Sequence, residues 1–96
     1  MSHEEIKGLI MLKETFMMKI NEDRKQIADL KQQKTDKKAD AWWEAEGTAK
    51  QKEDSVRASV SDLTNQIEVL EASIELSYNQ IKILDDKIEL EYLSDE

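Results

Sequence analysis

Few residues in this chain are of a type that does chemistry, and they are poorly placed for it. His3 is the single histidine among 96 residues and stands in the first turn, and there is no cysteine. A general base has to be held in a structured pocket, and a zinc site wants several imidazoles or thiolates, so His3 supports neither. Carboxylates are plentiful, yet none has the glycine-interrupted loop spacing of a calcium site, and no glycine-rich phosphate loop is present. Asp85, Asp86, Glu89 and Glu91 read as a solvated helix face. The expectation is a non-enzymatic protein that uses no cofactor and no metal. Recognition is the chemistry that remains, and its clearest mark is the adjacent pair Trp42 and Trp43 at the midpoint, followed by Gly47.

The elements that position this pair follow from composition. With 38% charged, 39% hydrophobic and 5% aromatic residues, the chain fits a long-helix or coiled-coil protein better than a thick globular core. It has no proline and two glycines, so Gly47 is the one plausible place to reverse direction. Ninety-six residues make at most one domain. Small domains without disulfides are marginal unless they associate, so a partner is expected. The first residues lack the positive n-region of a signal peptide, and Lys13 and Lys19 interrupt the apolar cluster that follows, so neither a cleaved signal nor membrane insertion is expected.

The net charge of −8 is uneven: residues 1–50 carry ten Lys/Arg and ten Asp/Glu, whereas residues 51–96 carry four against twelve. Nucleic acid is therefore an unsuitable partner, because backbone binding needs clustered cations. Lys31, Lys34, Lys37 and Lys38 form the one basic cluster, and its place near the expected end of the first helix suits the negative end of the helix dipole.

Periodicity defines two arms. Val60, Ile67, Ile74, Ile81 and Ile88 recur every seven residues, with Val56, Leu63, Leu70 and Leu84 at the complementary positions and Ser77 and Glu91 as exceptions. This is coiled-coil patterning. The first arm repeats it more loosely through Ile6, Leu9, Phe16, Ile20, Ile27 and Leu30, with Lys13 and Asp23 as interruptions. Ser2 and Glu5 have the spacing of a capping box at its start. Gly8 weakens that helix by about 1 kcal/mol relative to alanine, and the sequence offers no reason for it. The predicted architecture is all-α: a helix over about 2–40, a turn over about 41–47 and a helix over about 48–93, folded as an antiparallel helical hairpin. Ile20 then comes near Ile74 and Ile27 near Ile67.

A second apolar set lies outside this seam. Val69, Leu76, Ile83 and Leu90 are again spaced by seven, about 160–200° around the helix from the seam isoleucines. Ile10 and Met17, and Met11 and Met18, form similar pairs on the first arm. Scattered surface apolars are common, but strict heptad spacing points to a second helical contact, with four helices in cross-section. Methionines suit an adaptable contact surface. A homodimer and a heterodimer both satisfy this pattern. At the hinge, adjacent residues cannot both point inward, so one indole closes the seam while its neighbour is left available as an anchor.

A midpoint Trp–Gly turn between two helices, in about a hundred residues, resembles the WXG family of small helical-hairpin proteins of bacterial type VII (ESX) secretion. The resemblance extends to Tyr92-Leu93-Ser94-Asp95-Glu96, which matches the Tyr-x-x-x-Asp/Glu export signal of that system. Residues four apart share a helix face and present the phenol and the carboxylate together. Three residues separate Trp43 from Gly47 where the family has one, so the chain looks most like a divergent relative, such as the small targeting proteins encoded beside LXG toxins. The resemblance implies an exported substrate or a targeting adaptor and chaperone. Its partner would be another helical-hairpin protein or the helical N-terminal domain of a secreted toxin, with a secretion ATPase as a further contact. Trp42, Trp43 and Gly47 would form the turn motif, and Tyr92 and Glu96 the export signal. The implied location is the bacterial cytoplasm, with exit through type VII secretion. The rival reading is a structural coiled-coil scaffold or spacer with no secretion role, which needs neither the tryptophans nor the terminal tyrosine.

Overall fold

The computed structural model describes residues 3–94. Within them the protein is all-α: α1 spans His3–Glu44, α2 Ala49–Ser59 and α3 Ser61–Ser94, and no strand occurs among the described residues. No helix there is long and apolar enough to cross a membrane. The chain divides into two compact units, one of Met1–Arg24 with Ala72–Glu96 and one of Lys25–Glu71. Ser2, proposed to cap α1, lies outside the described residues.

In the first unit Ile6, Ile20 and Leu84 are buried, and Leu9, Phe16, Ile74, Ile81 and Ile88 are half-buried. Lys13 meets Asp85 and Asp23 meets Ser73, so the α1 and α3 segments run antiparallel. Their register lies about one helical turn from an Ile20–Ile74 alignment, and Ile20 shares a groove with Tyr78 and Ile81. The reason is geometric. Heptad core positions are separated by three and then four residues, and reversing one helix matches these steps only when an a position of one faces a d position of the other. Ile20 is thereby level with Ser77, which is buried.

Lys13 and Asp23 do not interrupt the α1 seam; they belong to it. Asp23 is only 4% exposed, accepts a hydrogen bond from the Ser73 hydroxyl at 2.8 Å and has Lys19 Nζ at 3.7 Å. Lys13, half-buried, reaches the Asp85 carboxylate at 2.7 Å. A charged group in a seam is tolerated when it is paired, and no buried side-chain polar atom among the described residues lacks a partner. Asp23→Ala should lower stability by about 1–2 kcal/mol, since Ser73 loses its acceptor and a gap opens. Asp23→Leu should raise it by about 1 kcal/mol, because leucine burial is worth about 2 kcal/mol and exceeds the lost bond. Denaturant unfolding of both variants checks the opposite signs.

In the second unit Ile27, Val60 and Ile67 are buried, with Leu30, Val56, Leu63 and Leu70 half-buried around them. The single helix expected over 48–93 is interrupted at Val60, whose φ of −111° and ψ of 8° leave the helical region. Local hydroxyls explain the break. Ser59 Oγ donates to the Val56 carbonyl at 2.6 Å and Ser61 Oγ to that of Ala58 at 3.1 Å, competing with the main-chain ladder. Val60 N–H consequently donates only to Arg57 and Ala58, and the ladder resumes where Thr64 N–H donates to Val60 at 2.9 Å. The side chain of Val60 stays in the core at 2% exposure, so the apolar stripe survives the interruption.

Helix α1 also continues past its expected end, through both tryptophans to Glu44. The connector then turns at Gly47, whose φ of +110° is disfavoured for any residue with a Cβ. Thr48 begins α2 with a complete capping box: Gln51 N–H donates to the Thr48 hydroxyl at 3.3 Å, and Thr48 N–H donates to the Gln51 side-chain oxygen at 2.9 Å.

Candidate functional site

Longer reach of α1 changes the setting of both tryptophans and of the lysine cluster. Trp42 and Trp43 occupy its last turn, where side chains fan out by 100° per residue and cannot share an environment. Trp42 lines a groove with Lys34, Lys38, Val56 and Val60, and Lys52 Nζ lies 5.3 Å from its ring centroid. Such a cation–π contact is worth about 0.5–1 kcal/mol near a surface. Trp43 is 86% exposed. One indole therefore packs over the helix pair while its neighbour faces outward. The last turn of α1 contains no basic residue, so Lys31, Lys34, Lys37 and Lys38 do not complement the helix end as anticipated. Dipole effects fade within one turn, and Lys34 and Lys38 instead border the Trp42 groove.

At the other end of the sequence Tyr92 lies in the last turn of α3 and is 57% exposed. Glu96 lies outside the described residues. His3 is exposed at the start of α1, and no group of three His, Cys, Asp or Glu able to hold a metal occurs among the described residues.

The candidate partner-binding residues are all exposed, and those of the first unit fall on more than one side of it. On one flank of the first unit, Met17 shares a groove with Ile20, Arg24, Tyr78 and Asp85. Arg24 donates to the Tyr78 hydroxyl and also lies 5.7 Å from its ring centroid, bracing that flank. Ile10, two turns before Met17, belongs to the same side. Met11 and Met18 follow by one position each and point away from the seam, at 60% and 64% exposure.

Leu76, Ile83 and Leu90 occupy the opposite flank. Leu76 is separated from Tyr78 by two residues, hence by 200° around α3. Lys87, four residues after Ile83 and three before Leu90, shares their face, and it lines a second groove with Glu5, Gly8, Leu9, Leu12 and Glu91. Val69 lies in the second unit, exposed beside Leu70 and Leu30 in a groove of its own. Sequence reading missed Leu12, which is 47% exposed on the Leu76 flank, because its nearest apolar neighbours in sequence, Met11 and Ile10, belong to the back and the other side of α1.

Comparison with protein families, with characterised proteins and with solved structures gives no match to this chain.

Proposed function

We propose that this protein is a partner-binding helical hairpin of bacterial type VII secretion, acting as an exported small protein or as the targeting adaptor of a toxin's helical domain. The observation that carries the reading is the midpoint motif: an outward Trp43 on the final turn of α1, followed by Gly47 at positive φ and an immediate helix start at Thr48. A spacer has no use for an exposed indole at a rigidly capped turn, whereas an exposed tryptophan is among the strongest anchors for a partner. Tyr92, exposed on the last turn of α3, supports the same reading.

Incomplete burial of the apolar residues is the second support. No large side chain among the described residues is wholly shielded from solvent, because a seam residue with one facing helix is covered from one direction only. Pairing into a four-helix assembly would cover one of the two flanks, and the stripe of Leu76, Ile83 and Leu90 is the more exposed of the two. Helical proteins do not usually leave apolar residues in heptad register uncovered.

Co-expression with the helical N-terminal domain of a toxin encoded beside it, followed by native mass measurement, tests the pairing. The expected species is a defined complex containing both chains. A protein that sediments as a folded monomer and joins no such domain would contradict the proposal.

A further inference from the structure

We infer that the groove of the first unit formed by Gly8, Leu12 and Lys87, together with the stripe of Leu76, Ile83 and Leu90, receives an amphipathic helix of a different protein that has basic residues along its edges. Gly8 is the first ground. It sits inside α1, where glycine is unfavourable, and a Cβ added there would meet no atom within 4 Å. Nothing among the described residues requires its smallness. It forms part of the lining of a groove of about 630 Å³, with Leu9 and Leu12 beside it. A glycine at such a place lets a second helix approach the backbone closely.

Shape on the facing helix is the second ground. From Leu76 to Leu90 the stripe is about 21 Å long at 1.5 Å per residue, which matches roughly four turns of a partner helix. Leu76 is 66% exposed and Leu90 62%, so the stripe has apolar area to contribute.

Charge selects the occupant. Glu75 and Glu89 stand one position before Leu76 and Leu90, and Asp86 lies between Ile83 and Leu90 on their face. Glu5 and Glu91 line the groove itself with Lys87, Lys82 stands in the row of Glu75 and Glu89, and Lys19 follows Leu12 by seven on α1, so the carboxylates outnumber the cations. A second copy pairing through this same face would set the acidic rim against its own like, whereas a helix edged with lysine or arginine would complement it. The inference rests on the reading of the chain as a helical partner protein, and it is independent of export.

A stapled amphipathic peptide of about three heptads, leucine at the core positions and lysine at the flanks, serves as the probe. Its binding is read by fluorescence anisotropy at physiological ionic strength, against the same peptide with glutamate flanks. The lysine version should bind at least about tenfold more tightly. Gly8→Leu should weaken it by about tenfold or more while leaving the melting temperature equal or higher, so lost binding could not be lost folding. Gln32→Ala, exposed in the second unit, should leave binding unchanged. Equal binding of the two peptides, or full binding to Gly8→Leu, would overturn the inference. So would a protein that sediments alone as a dimer and becomes monomeric with Gly8→Leu, since a second copy would then fill the groove. A negative result with an intact export signal would remove the groove and leave the secretion reading standing.

Discussion

Removing residues 92–96 is expected to stop export while folding and partner binding persist. Tyr92 and Leu93 are both exposed in the last turn of α3, so their loss uncovers little of the seam, whose final members Ile88 and Glu91 remain. Fraying of one terminal turn costs a fraction of the stability, and the melting temperature should fall by only a few degrees. An aromatic anchor at a recognition contact is worth about 2 kcal/mol or more, so the exported amount should fall by roughly thirtyfold. Quantifying the protein in medium and in cells, with the partner pulled down from the same cells, separates the effects. Undiminished export of the shortened chain would remove Tyr92 and Glu96 from the account.

Gly47→Ala should lower stability by about 2–3 kcal/mol. The φ of +110° makes a Cβ strained by about 1–2 kcal/mol whatever the space around it. The new Cβ would also come within 2.1 Å of Gln51 Oε1, the atom that accepts from Thr48 N–H. Moving that side chain away breaks half of the capping box, a further loss of about 1 kcal/mol. Gly8→Ala should do the reverse and raise stability by about 1 kcal/mol, because Gly8 is helical and the methyl meets open space. Urea unfolding at unchanged slope reads both. Equal effects of the two substitutions would mean that the connector geometry at Gly47 is not required.

The all-α class was legible in the heptads. On the second arm Val60, Ile67, Ile74, Ile81 and Ile88 carried the pattern, and each is buried or half-buried. Charged members of the seam were not legible. Lys13 and Asp23 occupy regular core positions, but their partners Asp85 and Ser73 are distant in sequence, so they read as interruptions. The break at Val60 was hidden for a different reason, since the apolar period is unaffected by Ser59 and Ser61 bonding to the preceding carbonyls. A missed signal did exist at the turn: Thr48-x-x-Gln51 is a capping-box pattern directly after Gly47.

The outer apolar residues show where periodicity stops being informative. Ile10 with Met17, and Leu76 with Ile83 and Leu90, have the same spacing of seven. Spacing identifies a stripe on each helix; it does not say on which flank of the pair the stripe falls. That requires the register, which Lys13–Asp85 and Asp23–Ser73 provide. The two flanks also differ in chemistry. One is braced by Arg24 and Tyr78, and the other has the open floor at Gly8.

The most direct test of the secretion reading is the amount of this protein and of its bound partner in the medium of a bacterium with an intact type VII system, compared with an otherwise identical strain lacking the secretion ATPase. The complex is expected to leave the cell only from the intact strain and to accumulate inside the other. Equal amounts in both media, or retention of both proteins by both strains, would contradict it.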